Sequence, residues 1–252
     1  MEIKRYFIEL SYNGTAYHGW QRQPNAMSIQ QLLEEALSKI LGETIRIVGA
    51  GRTDTGVHAR QMFAHFDVKK KTIDPNEIVF LLNAFLPKDI AVRSIHSVTA
   101  EAHARFDATA RSYEYHIATQ KDPFLSDFHY YIKNAPNVLS MNEAAKTLLE
   151  YKDFQCFSRS NTDVKTFICK IEKAEWHQEG SRLVFYISAN RFLRNMVRAI
   201  VGTLLEIGQN KRALEDFERV IKSKDRKQAG FSVPAQGLYL TKIEYPSNIF
   251  MD

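Results

Sequence analysis

Gly49-Ala50-Gly51-Arg52-Thr53-Asp54-Thr55-Gly56-Val57-His58 carries three glycines in eight positions, and no regular helix or unbroken strand runs through such a stretch. The decamer reads as a tight loop whose backbone another molecule can approach closely. Thr44-Ile45-Arg46-Ile47-Val48 before it and residues 61–68 (QMFAHFDV) after it read as strands. Around this strand–loop–strand unit the pattern continues. Residues 6–12 (YFIELSY) alternate as a strand. Ser28-Ile29-Gln30-Gln31 has the form of a capping box, followed by Leu32, Leu33, Ala36, Leu37, Ile40 and Leu41 at helical spacing, with Gly42 as the stop. Asp74-Pro75-Asn76-Glu77 caps a second helix carrying Ile78, Leu81, Leu82 and Phe85, and residues 90–98 form a fourth strand. The order is β-α-β-β-α-β.

The second half is expected to repeat that order. Residues 107–119 read as a long strand, and Ser140-Met141-Asn142-Glu143 as the cap of a helix with Ala144, Leu148 and Leu149. Residues 170–179 and 182–189 form a hairpin around Gly180, helices follow at 191–208 and 211–222, and residues 238–245 make the last strand. The expected fold class is α+β: two βαββαβ (RRM/ferredoxin-like) halves with antiparallel sheets flanking a central active-site cleft. The expected halves are residues 1–105, with the Gly-rich loop, and 106–252. The two do not visibly share sequence.

Size and charge narrow the class further. A chain of 252 residues with 44% hydrophobic and 25% charged residues is an ordinary globular composition. No apolar run approaches the ~18 residues of a membrane span, and Met1-Glu2-Ile3-Lys4-Arg5 leads into a strand, so a cytoplasmic protein is expected. A net charge of +5 favours a polyanionic partner. Cys156 and Cys169 form neither a disulfide framework nor a CxxC pair and read as buried thiols. The eight histidines are scattered without HxH or HxxxH spacing, which argues against a metal centre.

Three segments offer chemistry. In the Gly-rich loop, Asp54 lies two residues from Arg52; the pair is either an active-site arrangement or two side chains facing water. The loop is no phosphate-binding fingerprint, since it has neither GxGxxG entering a helix nor GKS/GKT. In residues 191–208 (RFLRNMVRAIVGTLLEIG), Leu193, Met196, Val197, Ile200, Leu204 and Ile207 share one helical face, with Arg191, Arg194, Asn195, Arg198 and Gly202 on the opposite one. That stripe is a solvated basic face or a phosphate-binding one, and one arginine could turn inward to a buried carboxylate. Arg111, Tyr113 and Tyr115 share a strand face, as sheet filling or as rings that stack on a base and move a proton. The loop Tyr17-His18-Gly19-Trp20-Gln21-Arg22-Gln23-Pro24-Asn25 suits RNA contacts, with Trp20 equally readable as a core anchor.

Taken together, GAGRTDTGVHAR (49–60), HARFDATARSYEYHI (103–117), NRFLRNMVRAIVGTLLEIG (190–208) and AGFSVPAQGLYL (229–240) closely resemble the bacterial tRNA pseudouridine synthase A (TruA) family. HGWQRQPN near the start and residues 153–171 (DFQCF…KTFICKI) fit it too, in family order across essentially the whole chain. Thr55 stands where many members have alanine.

The resemblance implies a tRNA-uridine isomerase acting on the anticodon stem-loop at tRNA positions 38, 39 and 40, as a homodimer and with no cofactor. It implies Asp54 as the catalytic acid, nucleophile or base at the ribose. Tyr113 would line the uracil pocket and transfer a proton, Arg198 would pair with Asp54, and Arg52 would help unstack the target nucleotide. Leu238 and Leu240 would supply an apolar pocket wall. Arg191, Arg194, Trp20 and Arg22 are the candidate tRNA surface, whereas Phe154 and Phe157 are expected in the core. A non-catalytic tRNA-binding protein is the alternative, and a nucleosidase using Asp54 alone a more distant one.

Overall fold

The computed structural model describes residues 3–69, 73–159 and 164–251, so residues 1–2 of the expected start and residues 160–163 of the 153–171 stretch lie outside it. The chain divides into two compact units: Met1–Thr109 with Leu240–Asp252, and Ala110–Tyr239.

In the first unit the apolar alternation of the sequence becomes an antiparallel sheet. Its elements are β1 (Lys4–Tyr12), α1 (Ile29–Leu41), β2 (Ile47–Gly49), β3 (His58–Val68), α2 (Pro75–Phe85) and β4 (Ile90–Val98), the order read from sequence. β1 pairs antiparallel with both β3 and β4, and β2 pairs with β3. Ser28 caps α1 by accepting from the Gln31 N–H, while the Gln31 side chain turns to Glu35, so only half of the reciprocal box forms. Ile29, Leu33, Ala36, Leu37 and Leu41 bury one stripe of that helix. Asp74 caps α2 with Pro75 in the first turn. Phe7 is fully buried and meets the rings of Tyr245 and Phe250 edge-on, at 5.2 and 6.1 Å, so the chain's last residues complete the core begun by its first strand.

The strand expected over residues 44–48 is shorter and later. The Ile45 N–H donates to the Ser38 hydroxyl at 2.9 Å and the Ile47 N–H to the buried Glu34 carboxylate at 3.1 Å. Helix side chains thus take the backbone groups that a longer ladder would need.

The second unit holds β5 (Ala110–Ala118), β6 (Tyr130–Tyr131), α3 (Val138–Lys146), β7 (Ile171–Glu179), β8 (Arg182–Ala189), α4 (Met196–Gly208) and α5 (Glu215–Ser223); β9 (Leu238–Glu244) begins here and continues in the first unit, beside β3. β8 lies antiparallel between β5 and β7, and β6 adds a short parallel pair to β5. The α+β class stands, but the plain βαββαβ order does not recur: β6 precedes α3, and α5 is added after α4.

Three helix starts differ from expectation. Asn137, not Ser140, caps α3, its side-chain oxygen accepting from the Ser140 N–H. α5 begins at Glu215 because Asp216 takes the Ala213 N–H in a tight preceding turn. α4 begins at Met196 rather than at 191, because Asn195 is left-handed with φ of 66°. Phe154, Phe157, Cys156 and Cys169 are fully buried, and burial pushes the two thiols up to about 12 and about 11. Among the described residues no helix is long and apolar enough to cross a membrane.

Candidate active site

The Gly-rich loop is held from below by residues at and after the end of β1. The Tyr12 and Thr53 hydroxyls lie 2.9 Å apart, both residues buried. The Trp20 N–H donates to the Thr53 carbonyl at 3.2 Å. The Gly14 N–H donates to Nδ1 of buried His58 at 3.1 Å. Gly19 has φ of 84°, and a Cβ there would overlap the Thr53 carbonyl oxygen; only glycine permits this approach. The Val57 N–H closes a turn onto the Asp54 carbonyl at 3.2 Å.

Thr53 is buried, and its neighbours are less so. Arg52 is exposed and Asp54 half-buried. The loop thus carries a carboxylate and a guanidinium on either side of a residue held by its hydroxyl and its carbonyl.

Trp20 is 2% exposed and packs against Gly49, so of its two readings the core anchor describes its position. Arg22 is exposed and donates to Glu34 at 3.3 Å, sharing that carboxylate with Arg46 at 3.0 Å. The structure brings Arg52, Asp54 and Trp20 to one loop, and turns Arg22 toward α1.

In the second unit, three residues sharing a β5 face differ in environment. Tyr115 is fully buried and donates to the Pro234 carbonyl at 2.7 Å, and burial raises its phenol. Tyr113 is half-buried, opposite Ile187, with its ring edge-on to Phe192 at 5.1 Å. Arg111 donates to the Asn190 carbonyl at 3.0 Å. Tyr115 is the sheet-filling residue, and Tyr113 keeps its hydroxyl within a half-open setting.

The arginine stripe expected along residues 191–208 does not form. Arg191 and Arg194 precede α4, and only Arg198 of the three lies on it. α4 is buried around nearly its whole circumference, including Gly202 on the face expected to carry the arginine stripe. A Cβ on Gly202 would overlap the Phe231 carbonyl oxygen, and the Gly230 N–H donates to the Thr203 hydroxyl at 2.9 Å. Residues 229–233 therefore cover the polar face. Arg198 is half-buried and donates from Nε to the Val233 carbonyl at 2.7 Å. Asn195 donates from its side-chain amide to the Ser232 hydroxyl, and the Arg226 guanidinium bonds the Ser232 hydroxyl and the carbonyls of Ala229 and Gly230. Leu238 and Leu240 are buried.

Sequence reasoning missed Tyr12, Thr53 and His58 as loop supports, and Asn195, Arg226 and Ser232 as the frame around Arg198. The glycines at 14 and 19 were a visible signal of close approach; what they approach was not. Among the described residues no three His, Cys, Asp or Glu side chains gather to hold a metal ion.

Comparison with known proteins adds the class. The family model described as tRNA pseudouridine synthase matches residues 10–107 and 144–246, which include Asp54 and Arg198 and leave Tyr113 outside. A protein named tRNA pseudouridine synthase A from Bacteroides fragilis is 52% identical over 251 residues, covering 99% of this chain and 100% of that one. Its namesake from Porphyromonas gingivalis is 49% identical over 254 residues, covering 99% and 100%. A more distant relative, tRNA pseudouridine synthase A 2 of Clostridium perfringens, is 40% identical over 240 residues, covering 94% and 98%. The chain belongs to the tRNA pseudouridine synthase family.

Proposed function

We propose that this chain isomerises uridine to pseudouridine in tRNA, with Asp54 carrying the chemistry. The observation that carries the residue assignment is the Asp54 loop: a half-buried carboxylate beside an exposed guanidinium, on a backbone fixed by buried hydroxyls. Family membership supports the reaction class.

The reaction breaks the C1′–N1 bond of the nucleotide, turns the uracil, and forms a C1′–C5 bond. The C5 hydrogen leaves to water and N1 takes up a proton, so no atoms are gained or lost. Asp54 acts at the ribose as nucleophile or as base. Tyr113 lines the uracil and transfers a proton, Arg198 serves as the charge partner of Asp54, and Leu238 and Leu240 form the apolar wall. Arg52 fills the gap left by the extruded nucleotide or holds its phosphate. Arg191, Arg194 and Arg22 contact phosphates, while Trp20 acts through the loop it supports. The proposed targets are uridines 38, 39 and 40 of the anticodon stem-loop, bound by a cytoplasmic homodimer without cofactor.

Tritium release tests this directly. tRNA labelled at C5 of uridine should lose its label to water with wild-type protein, in excess chelator and with pre-folded substrate. Binding without release would leave a non-catalytic tRNA-binding protein. Free uracil in place of pseudouridine would indicate a nucleosidase.

A further inference from the structure

Phe106 is 73% exposed, yet it stands on one of the most heavily tied turns in the chain. The His103 N–H donates to the Asp107 carboxylate at 2.7 Å, and the Ala104 N–H to Nδ1 of buried His65 at 3.1 Å. Nδ1 of His103 accepts from the N–H groups of both Arg105 and Phe106, at 3.1 and 3.3 Å. The Tyr245 hydroxyl donates to the Ala104 carbonyl at 2.6 Å, and Arg5 to the Ala102 carbonyl at 3.1 Å while also pairing with Asp67. The accepting role of both histidines needs an unprotonated Nδ1. Burial first, and then Arg5, push His65 down to about 4; burial also lowers His103.

Such a turn is rigid, and it spends its rigidity on presenting a phenyl ring to water. The ring is also prepared electronically. His103 lies against it with centroids 4.3 Å apart, and the Arg105 guanidinium sits 5.7 Å from its centroid. From Leu86 to Pro123, Phe106 is the one large apolar side chain left exposed. An exposed aromatic ring on a tied turn, flanked by a cation, is an arrangement that stacks an unpaired nucleobase and holds its phosphate.

We infer that the Ala102–Asp107 turn is a base-stacking platform: Phe106 stacks on an unpaired base of the tRNA substrate and Arg105 holds the adjoining phosphate. The inference rests on the proposed tRNA substrate and adds a contact remote in sequence from the Asp54 loop.

The test is tRNA affinity of the full-length protein across a salt series, with wild type, Phe106→Ala, Phe106→Leu, Phe106→Trp and Arg105→Ala. Phe106→Ala should weaken binding by about 5- to 100-fold with an unchanged salt slope. Phe106→Leu should lose nearly as much, because it restores apolar surface but not a stacking face, and Phe106→Trp should bind at least as tightly as wild type. The indole introduced there should also lose fluorescence when tRNA binds, against a background in which Trp20 and Trp176 are buried. Arg105→Ala should lower the salt slope by about one counterion. Full affinity in Phe106→Ala or Phe106→Leu overturns the platform, as does a change of oligomeric mass in Phe106→Ala with tRNA affinity intact. Pseudouridine formation by the wild-type protein, measured alongside, separates the readings: without it the proposed function fails, and with it a normal Phe106→Ala affinity removes only the platform.

Discussion

The Gly49–His58 loop and the segment from Arg191 to Gly208 both announce themselves in the sequence, and they differ in what the fold leaves open. The loop is held by side chains and by backbone from the segment after β1. Tyr12 meets Thr53, His58 receives the Gly14 N–H, and Arg52 and Asp54 remain at the surface of that frame. The arginine segment is closed over by a distant stretch of chain, residues 229–233. Asn195 breaks the helix, and residues 229–233 lie against Gly202 too closely for any side chain, so the face that reads as basic and solvated is covered. Glycines in a loop advertise a break in regular structure, whatever later holds it. A helical stripe advertises only what would be exposed if nothing else packed there.

The largest effect expected from this contrast is chemical. Asp54→Asn keeps the shape of the loop but removes the carboxylate, and single-turnover pseudouridine formation should fall by about a thousandfold or more with tRNA binding retained. Arg198→Ala should lower turnover more than affinity. Normal turnover by Asp54→Asn would move the chemistry out of the loop.

Next comes a structural asymmetry between two glycines. Gly202→Ala forces a methyl into the Phe231 carbonyl and should cost about 3 kcal/mol in denaturant unfolding. Gly51→Ala, in the loop, meets nothing within 4 Å and should stay within about 0.5 kcal/mol of wild type. Equal costs would mean that α4 tolerates separation from its cover.

A smaller effect tests the loop's own frame. Tyr12→Phe removes the partner of the Thr53 hydroxyl and should cost about 1 kcal/mol of stability. It should also lower the single-turnover rate with tRNA affinity unchanged, since it loosens the residue between Arg52 and Asp54. A rate equal to wild type would show that the remaining contacts suffice.

The smallest expected effect concerns Arg191 and Arg194, displaced from the helix they were expected to decorate. Arg194→Ala and Arg191→Ala should each reduce the salt dependence of tRNA binding by about one counterion, with single-turnover rates at saturating enzyme unchanged. Unchanged slopes would remove both from the tRNA surface.

Much of the first unit was legible because its signals are local. Ser28, Gly42, Asp74 and Pro75 mark helix ends by chemistry that needs no distant partner, and β1 and β4 follow their alternation. What was not legible depended on distant groups. The shortened β2 follows from Glu34 and Ser38 on α1, and the cover on α4 from residues more than two dozen positions later. The site divides the same way: Arg52 and Asp54 stand out in their own decamer, whereas Tyr12 acquires its part only once β1 runs beside β3.

The split of the chain has a consequence for its making. The first unit needs Leu240–Asp252, with Tyr245 and Phe250 set around Phe7, yet those residues are translated after the whole Ala110–Tyr239 unit. The Ala110–Tyr239 unit is continuous in sequence, whereas residues 1–109 wait roughly 7–30 s at ordinary synthesis rates for the strand that completes their sheet. The unit carrying Asp54 is begun before its neighbour on the ribosome and finished after it.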